Sequence, residues 1–88
     1  MAKRPVPKKL AKKLAQIRAD LGLSQTQMVK ALNYKASPLR PAQISQFETG
    51  RREPPLMLLL AYAKLAGIST DDLIDDRVSI HRVWIERE

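Results

Sequence analysis

Residues 40–55 read Arg40-Pro41-Ala42-Gln43-Ile44-Ser45-Gln46-Phe47-Glu48-Thr49-Gly50-Arg51-Arg52-Glu53-Pro54-Pro55. Pro41 suits the first turn of an α-helix, where its missing backbone N–H leaves no hydrogen bond unmade. Ile44 and Phe47 are three residues apart and therefore share one apolar face of that helix. Gly50 can end the helix, because glycine adopts the left-handed conformation without a steric penalty. The pattern predicts a short helix at about 41–49 and a new element from Pro55.

The polar residues of the same stretch have chemistry that suits DNA. Gln43 and Gln46 also lie three residues apart, and a glutamine amide can pair bidentately with an adenine edge in the major groove. Arg51 and Arg52 directly follow the helix and can bind phosphates. An ordinary solvated surface helix can carry the same residues, so the rest of the chain has to decide between the two interpretations.

The composition argues against several classes of function. The chain has 88 residues and 44% hydrophobic content, which predicts one small domain with a modest core. Cysteine is absent and His81 is the one histidine, so we expect no metal and no cofactor. There is no histidine–carboxylate cluster and no glycine-rich phosphate loop, so we do not expect an enzyme. No apolar run approaches the ~18 residues of a membrane span, and no signal peptide is visible, so a cytoplasmic protein is expected.

The positive charge lies in the first half of the chain. Residues 1–52 hold 12 lysines and arginines against two acidic residues, a charge of +10. Residues 53–88 hold four basic residues against seven acidic ones, a charge of −3. This asymmetry indicates one face for a polyanion, although charge can also serve solubility alone.

The first 21 residues combine an arm and an amphipathic helix. Residues 1–7 carry Lys3, Arg4 and two prolines, which predicts a flexible basic arm able to add phosphate contacts. From residue 8, apolar residues repeat at helical spacing: Leu10, Leu14, Ile17 and Leu21. Lysines are expected on the opposite side: Lys8, Lys9, Lys12 and Lys13. Such a helix can also lie on an acidic membrane, but packing into a core explains it more simply.

A second helix is expected to begin after Ser24. Ser24 and Gln27 have the spacing of a capping box, in which each side chain binds the other residue's backbone N–H. Gln25 lies at the start of this helix, where backbone N–H groups and the helix dipole favour a phosphate. The inner face comprises Met28, Val29 and Leu32. Residues 33–39 are expected to form an irregular loop that little apolar surface holds in place.

The second half predicts two more helices and a different final segment. Residues 55–66 carry an apolar stripe at helical spacing: Leu56, Leu59, Leu60, Ala63 and Ala66. Apolar residues off that stripe indicate a partner or a covering tail: Met57, Leu58, Tyr62 and Leu65. Ser69 caps a fifth helix at about 70–75, with Leu73 and Ile74 inside. Residues 77–88 are β-prone and are expected to pair in a hairpin of their own, to pair with the same strand of a second subunit, or to pack as an extended tail on helices four and five. Trp84 is a candidate dimer contact.

Residues 10–75 resemble the Cro/cI-type helix-turn-helix proteins, the XRE-like family of bacterial and phage regulators. Three segments support the resemblance: Leu21-Gly22-Leu23-Ser24-Gln25, Ile44-Ser45-Gln46-Phe47-Glu48-Thr49-Gly50, and Pro54 to Gly67 followed by Ile68-Ser69. It implies an all-α fold of five helices, lambda repressor-like, with the third helix in the major groove. It also implies a nucleoid-associated protein. The implied organisation is the arm at 1–7, the DNA-binding domain at 8–76 and the C-terminal segment at 77–88.

The resemblance also implies roles for individual residues. Gln25 takes the place of the family glutamine that caps helix two against a phosphate. The groove-facing positions of helix three are Pro41, Ala42, Gln43 and Gln46. The phosphate-contacting loop corresponds to Thr49, Arg51 and Arg52. Arg18 and Glu48 match an ion pair that joins helix one to the end of helix three, and both lie near apolar positions, where a partly buried charge needs a partner.

The chain departs from the family pattern at two places. Twelve positions separate Leu32 from Ile44, where the usual turn gives seven. The longer loop could add phosphate contacts from Lys35 or Arg40. Pro41 and Ala42 stand where many relatives carry hydrogen-bonding side chains, so DNA shape and the basic arm are expected to contribute more to recognition.

Two functions remain open at this point. The first is a sequence-specific, double-stranded DNA-binding transcriptional regulator, dimeric and repressing by blocking polymerase. The second is an antitoxin or protein-interaction module whose C-terminal half binds a protein partner. The excess apolar residues of the fourth helix favour some partner, either a second copy or a foreign protein.

Overall fold

The computed structural model describes residues 9–77 and folds them into five α-helices. The helices are α1 Leu10–Leu21, α2 Gln25–Leu32, α3 Pro41–Glu48, α4 Leu56–Ala66 and α5 Thr70–Ile74. Residues 9–77 contain no strand, so the all-α fold class is confirmed. The basic arm and the β-prone C-terminal segment lie outside the described residues, apart from Arg77.

Local sequence signals place the ends of the helices. The Ser24 hydroxyl accepts a hydrogen bond from the Gln27 N–H at 3.1 Å, and the Ser24 N–H donates to Gln27 Oε1 at 2.8 Å, which completes the predicted capping box. Ser69 accepts from the Asp72 N–H at 3.2 Å and begins α5. Gly50 follows α3 with a φ of 79°, a conformation that side chains other than glycine rarely adopt. The capping chemistry therefore works as the sequence indicated.

One apolar core joins the helices. Its buried members come from all five of them: Leu10, Leu14, Ile17, Met28, Leu32, Ile44, Phe47, Leu58, Leu59, Tyr62, Ala63, Ala66 and Leu73. Burial of each large aliphatic side chain stabilises the fold by about 1.5–3 kcal/mol. α3 packs against both α1 and α2, with Ile44 and Phe47 facing the core. These contacts bury one side of α3 and leave its opposite side outside the core of residues 9–77.

The buried face of α4 differs from the predicted stripe. Leu58 and Tyr62, expected to lie off the stripe, are fully buried, whereas Leu56 is 73% exposed. Because α4 is apolar almost all round, its sequence defines no single inner face, and packing on α2 and α5 chooses the orientation. Met57 remains 59% exposed as an apolar residue outside the core. Ile74, expected inside, is 41% exposed and is not part of the buried core.

Lys13 is buried, although we expected it on the solvent side of α1. Its Nζ donates hydrogen bonds to the carbonyl oxygens of Asp72 and Asp75 at 2.6 and 2.8 Å. These carbonyls lie at the C-terminal end of α5, where a positive charge is favoured. Burial lowers the pKa of Lys13, and the nearby carboxylates of Asp76 and Asp75 oppose that shift. The ammonium therefore joins α1 to α5.

The start of α1 is fixed by a residue that follows α5. The Lys9 N–H donates to Asp76 Oδ1 at 3.0 Å, and the helix begins at Leu10 rather than at residue 8. The two ends of the described chain thus lie side by side.

The segment between α2 and α3 contains no helix, as the sequence predicted. α2 ends at Asn33, whose φ of 50° is left-handed. The expectation that little apolar surface holds this loop is wrong, because Tyr34 and Leu39 are partly buried against the core. The side chain of Lys35 lies between them in sequence and is exposed.

Candidate nucleic-acid interface

A bidentate ion pair fixes the end of α3 to α1. Arg18 Nε donates to Glu48 Oε2 at 2.6 Å, and Arg18 Nη2 donates to Glu48 Oε1 at 3.0 Å. Arg18 Nη1 also donates to the Leu23 carbonyl at 3.0 Å, so one guanidinium joins α1, α3 and the turn before α2. The hydrogen bond to Glu48 raises the pKa of Arg18, against a smaller opposing effect of burial. The family resemblance predicted this ion pair, and the fold brings the two residues together.

The outward side of α3 follows from its buried side. Successive residues of a helix are rotated by about 100°, so Ala42, Ser45 and Gln46 lie opposite Ile44 and Phe47. Ala42 is exposed, whereas Ser45 and Gln46 are half-buried. Pro41 is also exposed and forms the first turn. This side of the helix therefore lies outside the core that residues 9–77 form.

The two glutamine amides of α3 differ in their surroundings. Gln46 makes no side-chain hydrogen bond within residues 9–77, so both its carbonyl and its NH₂ group are available. Gln43 Oε1 instead accepts a hydrogen bond from the Arg40 N–H at 2.9 Å. Gln43 also lines a cleft of about 360 Å³ between the 33–40 loop and the start of α4, together with Leu39 and Phe47.

The loop after α3 presents two exposed arginines from an ordered backbone. The N–H groups of Arg51 and Arg52 both donate to the Gln46 carbonyl, at 3.0 and 3.3 Å. Their side chains are exposed and make no ion pair within residues 9–77. Thr49 Oγ1 donates to the Ser45 carbonyl at 3.0 Å, which leaves the hydroxyl oxygen as an acceptor only. Thr49 would have to rotate its hydroxyl to donate to a phosphate.

The other candidate phosphate contacts lie on two neighbouring segments. Gln25 is the first residue of α2 and is half-buried, with the unpaired backbone N–H groups of the first turn beside it. Lys35 and Arg40 are exposed on the loop before α3. A Cβ placed on Gly50 would lie 3.9 Å from Ala11 Cβ, so the arginine-bearing loop lies against the first turns of α1. Lys3 and Arg4 lie outside the described residues.

Sequence reasoning missed three residues that matter to this arrangement. Ser45 lies on the outward side of α3, which the spacing from Ile44 could have shown. Lys13 could not be found without the fold, because its acceptors lie 59 and 62 residues away. The Tyr62 hydroxyl is buried without a hydrogen-bond partner within residues 9–77, and burial raises its pKa.

Other kinds of site find no support in the described part of the chain. Among residues 9–77, no group of histidines and carboxylates could hold a metal ion. No helix in this part is long and apolar enough to cross a membrane.

Comparison with known proteins gives one match. A family model described as helix-turn-helix matches residues 14–73, which is 60 of the 88 residues. No curated protein matches the chain, and no solved structure matches it. The matched region runs from the middle of α1 to Leu73 in α5 and contains every residue from Gln25 to Arg52 discussed above. The chain therefore belongs to the XRE-type, Cro/cI-like helix-turn-helix family of DNA-binding transcription regulators.

Proposed function

We propose that this protein is a sequence-specific, double-stranded DNA-binding repressor that places α3 in the major groove. The observation that supports this most is the way in which α3 is held against the rest of the domain. Ile44 and Phe47 bury one side, Arg18 holds its end through Glu48, and Gln46 keeps both amide atoms available on the other side. A rigid helix with a free amide meets the geometric requirement of direct base contact.

Phosphate contacts position the helix in this proposal. The contributing residues are Gln25, Lys35, Arg40, Thr49, Arg51 and Arg52, with Lys3 and Arg4 of the arm adding charge. The sequence predicts four base-facing positions, Pro41, Ala42, Gln43 and Gln46, of which Gln43 already accepts a hydrogen bond from the Arg40 N–H. Since Pro41 and Ala42 offer no hydrogen bonds, apolar contact with thymine methyl groups and DNA shape supply part of the specificity.

The protein acts as a homodimer in this proposal. One short helix contacts few base pairs, and two half-sites multiply the specificity. Leu56 and Met57 are 73% and 59% exposed at the start of α4, and they follow the arginine loop closely in sequence. An apolar surface in this place can join two copies while both α3 helices remain free. Occupancy of a promoter by such a dimer represses transcription by excluding polymerase.

Selection of binding sites from random duplex DNA tests the proposal. The selected duplex and a scrambled duplex of the same composition are then titrated by fluorescence anisotropy at 0.15 M salt. A regulator should bind the selected duplex at least ~10³-fold more tightly. Equal affinity for both duplexes would contradict sequence-specific function and would indicate non-specific DNA binding instead.

A second candidate is an antitoxin or protein-interaction module. The same exposed pair, Leu56 and Met57, favours it, because a foreign protein could cover that surface. Analytical ultracentrifugation of the pure protein separates the two candidates. A dimer at micromolar concentration supports self-association, whereas a stable monomer with weak operator binding supports a foreign partner.

A further inference from the structure

The amide groups of Gln43 and Gln46 are not equivalent, although the sequence presents the two residues alike. We propose that Gln46 and Ser45 contact the bases, whereas Gln43 is a positioning residue that fixes the start of α3 and the backbone of Arg40. This assignment rests on the proposed DNA-binding function and specifies which side chains determine sequence preference.

The hydrogen bond of Gln43 already engages the oxygen that adenine recognition needs and fixes its direction toward the backbone of Arg40. Bidentate pairing with adenine requires the amide oxygen to accept from N6 and the NH₂ group to donate to N7. Gln43 Oε1 already accepts from the Arg40 N–H at 2.9 Å. Gln43 is the third residue of α3, and a glutamine there commonly returns to the N-cap N–H. Arg40 is extended, with φ −118° and ψ 152°, as an N-cap residue should be.

The position of Gln43 around the helix supports the same conclusion. At about 100° per residue, Gln43 lies roughly 70° from the centre of the buried face that Ile44 and Phe47 define. It therefore lies on the flank of α3, and its side chain lines the cleft beside Leu39 and Phe47. Ala42 and Gln46 lie much closer to the centre of the outward side.

Ser45, unlike Gln43, lies on the outward side of α3. Ser45 and Gln46 lie on either side of Ala42, each roughly 50° from the centre of the outward side. The Ser45 hydroxyl makes no hydrogen bond within residues 9–77. A serine hydroxyl can donate to or accept from a base edge, so it can contact any base pair. Its reach is short, which places it over the base pair nearest the helix axis.

Gln43 then affects DNA binding indirectly, through the position of Arg40. Arg40 is exposed at the first turn of α3, with its N–H held by Gln43 and its carbonyl accepting from the Gln43 N–H at 2.9 Å. This pair of hydrogen bonds fixes the direction in which the Arg40 side chain leaves the backbone. If Arg40 binds a phosphate, loss of Gln43 weakens binding to every sequence and changes the preference for none.

Three alanine variants test the assignment: Gln43→Ala, Ser45→Ala and Gln46→Ala. Each undergoes binding-site selection, followed by titration of the preferred duplex and of single base-pair variants at constant salt and well below the melting temperature. Gln46→Ala and Ser45→Ala should each reduce discrimination at one base pair by about 5- to 100-fold. Gln43→Ala should lower the affinity for all duplexes by a common factor and leave every discrimination ratio unchanged.

The salt dependence distinguishes positioning of Arg40 from a general loss of structure. Gln43→Ala and Arg40→Gln should each reduce the slope of log affinity against log salt by about one, and the double variant should equal Arg40→Gln alone. A Gln43→Ala variant that loses discrimination at a base pair would overturn the assignment, as would an unchanged slope. A wild-type protein without sequence preference would overturn the proposed function itself.

Discussion

The ion pair between Arg18 and Glu48 should be a major source of the stability that holds α3 in place. The Glu48 side chain is 7% exposed and the Arg18 side chain 25% exposed. Glu48→Ala removes two of the three hydrogen bonds of the Arg18 guanidinium and leaves its charge partly buried. Breaking a fully buried pair costs about 3–5 kcal/mol. Because Arg18 keeps the Leu23 carbonyl and some solvent, the expected loss is about 2–3 kcal/mol.

Urea denaturation followed by circular dichroism measures this loss. Arg18→Ala should lower the free energy of unfolding more than Glu48→Ala does. It leaves the Glu48 carboxylate without its partner, and Glu48 is the more deeply buried of the two residues. Asp71→Ala is the matched control, because it removes an exposed carboxylate and should change the free energy of unfolding by less than about 0.5 kcal/mol. The folded Glu48→Ala variant should retain DNA binding at low temperature. Unchanged stability together with lost binding would refute the structural role and indicate that Glu48 contacts DNA.

Four further predictions concern other parts of the molecule. Lys13→Met should lower the free energy of unfolding by about 2 kcal/mol in urea, since two partly buried carbonyls lose a charged donor; no loss would mean that other contacts hold α5 in place. Tyr62→Phe should raise the melting temperature, because its hydroxyl is buried without a partner within residues 9–77; a clear decrease would reveal a partner. Arg52→Gln should weaken binding to all duplexes and reduce the salt slope by about one, whereas a change in sequence preference would contradict a phosphate contact. Replacing Leu56 and Met57 together by glutamate should shift the protein from dimer to monomer in ultracentrifugation; a dimer that persists with helicity unchanged would place the interface elsewhere.

Much of the fold was predictable because local chemistry specifies it. Pro41 and Gly50 bound α3, and the Ser24–Gln27 capping box begins α2, since each acts over a few residues of the same chain. The approach of Arg18 to Glu48 was also predictable, because a charge beside an apolar stripe needs a partner and the family pattern supplies one.

The features that were not predictable depend on long-range packing. Burial of Lys13 requires the end of α5 to arrive beside α1, which no pattern around residue 13 indicates. The predicted stripe of α4 was wrong for Leu56, which is exposed, and right for three residues that are buried: Leu59, Ala63 and Ala66. An almost wholly apolar helix has no distinct polar side that could define its orientation more closely. The capping role of Gln43 was overlooked because Arg40 is not a typical N-cap residue, although a glutamine three residues after a helix boundary was a usable signal.

The central claim is that α3 contacts bases in the major groove through Gln46. It is tested most directly by replacing each purine of the selected operator, one at a time, with its 7-deaza analogue, which removes the N7 acceptor and leaves the minor groove unchanged. For the wild-type protein, one adenine substitution should reduce affinity about 2- to 10-fold, because it removes one of the two hydrogen bonds of the bidentate pair. The same substitution should have no effect on Gln46→Ala. Equal affinity of the wild-type protein for all the substituted duplexes, or an equal loss in the Gln46→Ala variant, would contradict the account.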